Sequence, residues 1–436
     1  MILRRNRGGR TRIVAALAAS AWLAAPAWGS PTYSIRRMEN VNFSRPNDSG
    51  QVVSDYGYGS QEFFLADGFG PRAGSPGRTI AEGTPDAHLL GGPITDDRAI
   101  LLNNREQGAT MVLVPASTIR PGATGSAGQA ALLDGGAVTL LGTLGGLHSA
   151  PRALNDSGQV VGRSNLGDGS VHAFRSSGGT MQDLGALPGG GSSYATAINN
   201  AGDVVGYSAV GPSANLSAPS YWNGARFWET LDQPDGSAVS REATTHAVLF
   251  RDGQVVDLGT LGGGSSYASG INDAGLIVGT AETASGQSRA FAYQDGKMTD
   301  LGVLTGTPPS IIGRDGESTA LDVDDLGRIV GSANGRAFLY QDGKMADLND
   351  FVTLPPHTTL VAAYSINNLG QIMAGSIRFN EDGSLGQDGF DTYLLTPTEL
   401  GAPNYAIETP EPTALALPLL AAAWMGVRAL RRRDRR

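Results

Sequence analysis

Short apolar runs alternate with clusters of polar turn residues along most of the chain. The β-branched run Leu276–Gly279, for example, follows the polar turn Asn272–Gly275. A run of this length and composition predicts a strand, and Asn, Asp and Gly between such runs predict turns in which Gly takes the left-handed conformation. The pattern therefore predicts many short strands joined by tight turns.

One motif, Ile-Asn-Asp/Asn-x-Gly-x-Val-Val-Gly, repeats along the chain, and such self-similarity indicates an array of like units. Asn47–Val53 matches Asn155–Val161 at seven consecutive positions, whereas Ile94–Asp97 is a degenerate copy without the Gly. There are thus six clear units and one doubtful unit. The other copies are Leu154–Gly162, Ile198–Gly206, Ile271–Gly279, Val323–Gly331 and, with one extra residue, Ile366–Gly375.

A second motif follows the first in most units. His246–Phe250 precedes the dipeptide Asp252-Gly253 and the apolar run Val255–Gly259. An Asp-Gly pair between apolar runs predicts a two-residue type I′ hairpin turn. The related segments are His172–Phe174, Arg289–Phe291 and Arg336–Phe338, and further Asp-Gly pairs begin at Asp134, Asp295 and Asp342.

Four short strands in some 45 residues make one propeller blade, and no single blade buries enough apolar surface to stand alone. We therefore predict an all-β fold, a β-propeller of six or seven four-stranded blades over residues 30–396. Tyr33–Met38 and Asp391–Leu395 each look like a strand without a partner. We predict that these two ends share one blade and close the ring; the alternative is an open β-solenoid.

The two motifs resemble the HAF repeats of bacterial extracellular repeat proteins, named for a His-Ala-Phe core. The resemblance covers about residues 43–396 and is weaker before residue 130, where Glu62–Leu65 stands in place of that core. The family has no established enzymatic activity. The resemblance therefore implies a location and an architecture more than a function.

The N-terminus is predicted to be an export signal. Five Arg residues in the first twelve precede an apolar run, Ile13–Ala25, and small residues before Ser30 fit a cleavage site after Gly29. This is the order of a secretory signal peptide, and the run is too short to span a bilayer. Residues 1–29 are therefore predicted to direct export.

The C-terminus is predicted to be a sorting signal. The apolar segment Thr413–Val427 resembles a short transmembrane segment held by a cytoplasmic Arg cluster. The whole tail, residues 410–436, follows a linker over 397–409 and resembles the PEP-CTERM signal of Gram-negative bacteria. The resemblance implies recognition by an exosortase, transient anchoring in the inner membrane, and release to the cell surface or into exopolysaccharide. Its key residues are Pro410, Glu411, Pro412, Arg431, Arg432 and Arg433.

Composition and charge exclude several classes of function. The chain has 32 Lys+Arg, 41 Asp+Glu and no Cys. Eleven of the Arg residues lie in the two terminal signals, so the body between them carries about −19 and is not expected to bind nucleic acid. The missing Cys excludes disulfides, thiol nucleophiles and Cys-ligated metals.

Catalytic signals are few. No Gly-x-Ser-x-Gly, His-Glu-x-x-His, Walker A or Rossmann pattern occurs, and His172 and His246 hold equivalent repeat positions, which indicates strand residues. We predict no enzymatic activity, no catalytic residues and no required cofactor. Calcium is the one ion considered, because Asp322–Asp325 and Asp382–Asp391 are rich in oxygen ligands. Capping of β-turns by Asn and Asp is the simpler explanation.

One insertion, between Ser208 and His246, carries Tyr221, Trp222, Phe227 and Trp228. Aromatic side chains beside polar ones suit stacking on sugars, so these four residues form a candidate ligand site; packing of the insertion onto its own blade is the alternative. Together these features predict an exported, exosortase-processed surface or matrix protein, a non-catalytic module associated with exopolysaccharide or biofilm. The alternatives are an exported carbohydrate-active enzyme and a protein-binding adhesin.

Overall fold

A computed structural model describes residues 32–38, 45–55, 63–66, 88–89, 101–211, 219–222, 225–228, 244–305, 315–381 and 385–398. Within these residues the chain is almost entirely strand and turn, with two short 3-10 turns, Ala116–Thr118 and Leu348–Phe351. None of the described helices is long and apolar enough to cross a membrane. The predicted signals at 1–29 and 410–436, with their transmembrane segment, lie outside the described residues.

The strands are short, as the apolar runs predict. The first sixteen are β1 (Tyr33–Met38), β2 (Val52–Asp55), β3 (Phe63–Ala66), β4 (His88–Leu89), β5 (Leu101–Leu102), β6 (Gly108–Pro115), β7 (Ser126–Asp134), β8 (Ala137–Leu140), β9 (Gly145–Leu154), β10 (Val160–Leu166), β11 (Val171–Ser177), β12 (Thr180–Asp183), β13 (Ser193–Ile198), β14 (Val204–Ala209), β15 (Pro219–Trp222) and β16 (Ala225–Trp228). The next thirteen are β17 (Thr245–Arg251), β18 (Gln254–Asp257), β19 (Gly262–Ile271), β20 (Ile277–Thr283), β21 (Ser288–Gln294), β22 (Lys297–Asp300), β23 (Ser318–Val323), β24 (Ile329–Ala333), β25 (Arg336–Gln341), β26 (Lys344–Asp347), β27 (Thr358–Ile366), β28 (Ile372–Phe379) and β29 (Leu385–Pro397).

These strands form the blades of a β-propeller. Blade 1 contributes the pair β2–β3, and in blade 2 both β4 and β5 lie beside β6, followed by β7 and β8. Blades 3 to 7 are four-stranded antiparallel sheets: β9–β12, then β13, β14, β17 and β18, then β19–β22, then β23–β26, then β27–β29 with β1. The first strands of blades 3 to 7 neighbour one another around the axis. The prediction of an all-β propeller is confirmed.

The ends of the chain close the ring, as predicted. Strand β1 pairs antiparallel with β29, from Tyr33 beside Pro397 to Met38 beside Thr392, and is the fourth strand of blade 7. The backbone N–H of Thr398 donates to the carbonyl of Thr32 at 2.9 Å, so the two ends of the described chain lie side by side. The structure thus agrees with a closed ring, and the open solenoid is excluded.

Backbone geometry explains two of the repeated motifs. In the Asp-Gly hairpins, Asp252, Asp295 and Asp342 have φ angles of 52° to 54°, as type I′ turns require. The Gly of each Val-Val-Gly run lies opposite a β-bulge, where a Cβ on Gly279 would overlap the carbonyl oxygen of Tyr267. Both motifs are therefore fixed by backbone geometry.

The core lies between blades. Phe174, Phe291 and Phe338, the third residues of three His/Arg-Ala-Phe segments, are fully buried in three separate clusters. A buried Ser at the start of most inner strands also ties neighbouring blades together. Ser266 accepts the N–H of Ala247 at 2.8 Å and donates to the carbonyl of Gly259. Ser149, Ser193 and Ser318 repeat this bridge.

Candidate functional site

The repeated Asn-Asp/Asn turns meet at one end of the propeller axis. Each turn is built by its first residue, whose side-chain oxygen accepts one or two backbone N–H groups of the same turn. Asn155 Oδ1 accepts from Ser157 at 3.1 Å and from Gln159 at 3.0 Å. This is the turn capping that the sequence predicts for Asn and Asp.

The same side chains also join the turns to one another. Asn155 Nδ2 donates to the carbonyl of Asn199 in the next blade at 3.0 Å, and in turn the carbonyl of Asn155 accepts from Asn103 Nδ2 at 2.9 Å. We call this set of first turn residues the inner ring. It consists of Asn47, Asn103, Asn155, Asn199, Asn272, Asp324 and Asn367.

The second turn residues form a closed outer ring. The backbone N–H of each donates to the Oδ1 of the next at 2.7–2.9 Å, and the last, Asn368, donates to the first, Asp48. Seven turns take part, so of the six or seven blades predicted the structure has seven. The outer ring consists of Asp48, Asn104, Asp156, Asn200, Asp273, Asp325 and Asn368.

Amides alternate with carboxylates around the outer ring except at one place. Asn104 Nδ2 donates to Asp48 and to Asp156, and Asn200 and Asn368 bridge their neighbouring carboxylates in the same way. Because seven is odd, two like residues have to be adjacent. Here they are Asp273 and Asp325, and no side-chain amide bridges them in the described structure.

Blade 6 departs from the other turns in the inner ring. Its first turn residue is Asp324, whose fully buried carboxylate pairs with Arg328 at 2.5 Å. Arg328 Nη2 donates to the carbonyl of Asn368, which replaces the amide link to blade 7. Burial raises the pKa of Asp324, and Arg328 opposes that shift.

A second ion pair lies beside these rings. Arg45, two residues before the turn of blade 1, reaches across to blades 6 and 7. Its Nε donates to the carbonyl of Ile366 at 3.0 Å and lies 3.4 Å from Asp322 Oδ2. Burial raises the pKa of Asp322, while Arg45 and the backbone N–H groups of Ile366 and Val323 lower it.

A cavity opens at this end of the axis. Its volume is about 570 Å³, which includes solvent at the mouth. We call it the axial cup. All seven outer-ring residues line it, together with Arg45 and a belt of apolar residues that directly precede the turns: Pro46, Leu102, Leu154, Ile198 and Ile271.

The axial cup was not predicted, and one turn in it was misplaced. The degenerate copy at Ile94–Asp97 lies outside the described residues, and the turn of blade 2 is Asn103–Gln107. There Glu106, at φ 61°, stands where the other six turns have Gly. The spacing of Asn103, Asn104 and Gln107 equals that of Asn155, Asp156 and Gln159, which is the signal that sequence reasoning missed.

None of the histidine and aromatic residues singled out from the sequence is among the described residues that line the axial cup. His172 and His246 bond Asp183 and Asp257 of the next strand through Nδ1 at 2.8–3.0 Å, so they are strand residues, as predicted. Tyr221, Trp222, Phe227 and Trp228 belong to the hairpin β15–β16, but their side chains lie outside the described part. The sugar-stacking prediction therefore stays a prediction, as do the roles of Gly29 and of the tail residues Pro410, Glu411, Pro412, Arg431, Arg432 and Arg433.

The oxygen-rich stretches do not form a calcium site in the described residues. Asp322, Asp324 and Asp325 belong to three different contacts, and Asp391 pairs with Arg37 and Arg378. Among the described residues no three acidic or histidine side chains converge as a metal would require.

Comparison with known proteins identifies no family for this chain. No protein-family model matches the chain, and no curated protein matches it. Three similar solved structures are a gluconolactonase from Xanthomonas campestris, an acylaminoacyl peptidase from Pyrococcus horikoshii and a puromycin-hydrolyzing peptidase from Mycobacterium tuberculosis. Their identities to this chain are 12%, 10% and 12%, and their TM-scores are 0.32, 0.29 and 0.38.

The matches cover 66%, 62% and 82% of this chain and 82%, 47% and 51% of the respective structures. The chain thus spans only about half of each peptidase. Because the propellers found are a gluconolactonase and two peptidases, the predicted function as a surface or matrix module is wrong on this comparison. At such low identity the likeness transfers no activity or substrate to this chain.

Proposed function

We propose that this chain is an exported propeller that binds a small, positively charged organic ligand in the axial cup. The observation that carries the proposal is the rim of the cup. Four carboxylates, those of Asp48, Asp156, Asp273 and Asp325, surround one cavity, and no Lys or Arg belongs to the outer ring. Charges of one sign around a concave opening focus the field on it and attract the opposite charge.

The hydrogen bonds of the rim favour a ligand with N–H donors. A carboxylate offers about four lone-pair sites. Asp48 and Asp156 each accept three hydrogen bonds from the neighbouring turns, whereas Asp273 and Asp325 each accept two. The unused acceptors are therefore concentrated where these two carboxylates adjoin. An ammonium group, with its three donors, is complementary to this place.

The spacing of the oxygens around the rim favours an organic cation over a bare metal ion. A bare hard cation such as Ca²⁺ needs six to eight converging oxygens. The rim instead spreads its carboxylates around a ring and separates most of them by amides.

The export signal predicted over 1–29 supports a place outside the cytoplasm. An axial ligand site needs no partner from the membrane, so the proposal does not depend on the tail. Cell fractionation with an antibody to the body would test the location. Recovery of the protein in the cytoplasm, with residues 1–29 uncut, would contradict export.

Calorimetric titration of the full protein with isoamylamine, putrescine and Ca²⁺ tests the ligand class. We expect the amines to bind and Ca²⁺ not to bind. In the variant Asp273→Asn/Asp325→Asn the amine affinity should fall about tenfold or more, since charge-assisted hydrogen bonds are lost. Asp295→Asn, in a hairpin turn whose φ of 53° Asn tolerates, is the matched control and should bind as the wild type does. Equal affinity in the rim variant would contradict the proposal.

A further inference from the structure

The axial cup holds a positive group as well as a negative rim. Arg45 lines the cavity, and its side chain is 46% exposed. A guanidinium carries five N–H donors. Nε donates to Ile366, and Nη2 makes one long contact, 3.5 Å, to the carbonyl of Val323. Within the described residues the Nη1 donors and the second Nη2 donor have no partner.

Asp322 does not occupy the Nη donors of Arg45. Its Oδ2 lies 3.4 Å from Nε, beyond the usual length of a hydrogen bond, and accepts the backbone N–H of Ile366 at 2.9 Å. Its Oδ1 accepts the backbone N–H of Val323. Asp322 is thus bonded mainly to backbone, and it holds the guanidinium in place without covering the Nη atoms.

The two charged groups lie on the same side of the axis. Arg45 bonds the carbonyls of Val323 in blade 6 and Ile366 in blade 7, the residues directly before those two turns. The unbridged carboxylates of Asp273 and Asp325 belong to the turns of blades 5 and 6. One wall of the cup therefore presents a carboxylate pair at the rim and, beside the strand ends, guanidinium donors that no described residue occupies.

The rest of the cup lining is mainly polar. Leu102, Ile198 and Ile271, which precede the turns of blades 2, 4 and 5, line the cavity but are buried, so they offer little apolar surface to a ligand. The charged groups therefore have to supply most of the recognition.

From this arrangement we infer that the ligand of the axial cup is a zwitterion, an α-amino acid. Its carboxylate binds Arg45 through the Nη donors that no described residue occupies, and its ammonium binds Asp273 and Asp325. The inference rests on the proposed function, because it assumes that the cup binds a ligand with a cationic group. It adds that the same ligand carries a carboxylate.

Three probes that share the branched side chain of leucine separate the inference from the proposed function. L-Leucine carries both charges, isoamylamine only the ammonium and 4-methylpentanoate only the carboxylate. In calorimetric titrations of the full protein we expect leucine to bind about tenfold or more tightly than isoamylamine, since a guanidinium–carboxylate pair is a strong charge-assisted contact. The acid should not bind, because the rim repels it. Isoamylamine binding as tightly as leucine would overturn the zwitterion but keep the proposed function; failure of all amines would remove both.

A conservative substitution tests the role of Arg45. Arg45→Lys keeps the charge but removes the planar fork, so leucine affinity should fall about tenfold while isoamylamine affinity stays within about twofold. The amine thus reports whether the cup is still intact in the variant. Arg105→Lys, at the exposed third position of the blade 2 turn, is the control and should leave both affinities unchanged. Unchanged leucine binding in Arg45→Lys, with the amine still bound, would overturn the inference.

Discussion

The turns of blades 3 and 6 hold equivalent positions in the inner ring, but their first residues differ in side chain and charge. In blade 3, Asn155 donates to the next blade and to Gln159, and no charge is involved. In blade 6, the carboxylate of Asp324 is fully buried and Arg328 supplies the link to blade 7. Their turn hydrogen bonds are nevertheless almost equal, with Asp324 Oδ1 accepting at 3.0 and 2.8 Å.

This difference shows that the first residue of each turn has two roles, which different groups can fill. The turn needs only a side-chain oxygen, which Asn and Asp both supply. The ring also needs a donor toward the next blade, which Asn has and Asp lacks. Blade 6 meets the second demand with a separate residue, at the expense of a buried ion pair. We therefore expect the stability of the protein to depend far more on Arg328 in blade 6 than on Gln159 in blade 3.

Arg328→Gln should have the largest effect. The substitution leaves the buried Asp324 carboxylate without its cation, and such a loss costs about 3–5 kcal/mol of unfolding free energy. Gln159→Ala in blade 3 removes only a neutral hydrogen bond and should cost about 1 kcal/mol. Urea unfolding of both variants measures the difference. Equal losses would show that the two turns are energetically alike.

The double variant Asp324→Asn/Arg328→Gln should restore the chemistry of blade 3. It recreates the Asn-x-x-x-Gln pair of blades 1, 2, 3 and 7, so the new amide can donate to blade 7. We expect a stability within about 1 kcal/mol of the wild type and hence a coupling of about 2 kcal/mol or more between the two positions. The test is a double-mutant cycle by urea unfolding. Additive losses would contradict the amide replacement.

The pH dependence of stability gives the smallest effect. Because burial raises the pKa of Asp324, the folded state binds its proton more tightly than the unfolded state does. This contribution is fully present below the ordinary pKa of Asp, near 3.8, and is lost as pH rises through the raised value. Each unit of pKa difference contributes about 1.4 kcal/mol.

The double variant is the reference for this measurement, since it lacks Asp324 but keeps Asp322 and the other carboxylates. Relative to it, the wild type should be more stable at low pH than at neutral pH. Unfolding series from pH 4 to pH 8 on both proteins test this. A constant difference across the range would contradict the role of Asp324.

The sequence predicted the parts of the fold that depend on local patterns. Asp252-Gly253 lies in a hairpin turn, and the Val-Val-Gly runs are strands, because turn chemistry and short apolar runs act over a few residues. The pairing of Tyr33–Met38 with the last blade followed from a count of unpaired strands. The start of each blade follows from the same local turns, since Gly262–Ile271 pairs with the strand after its turn and so begins a blade.

The rings could not be predicted from the same patterns. They depend on where seven separate turns meet, and Asn47 contacts a residue 320 positions away. Nothing local distinguishes an Asn that caps its own turn from one that also donates to a neighbour. The blade 2 turn was missed because Glu106 replaces the expected Gly, although Asn103 and Gln107 keep their spacing.

Closure of the ring by its first and last strands has a kinetic consequence. On a ribosome, β1 is made early, but its partner β29 emerges only after nearly all the intervening blades. Contacts at such sequence separation slow folding, and an unpaired strand edge exposed meanwhile invites association with other chains. The early strand thus has to remain accessible until synthesis is almost complete, and the time before closure is when this protein is most vulnerable to aggregation.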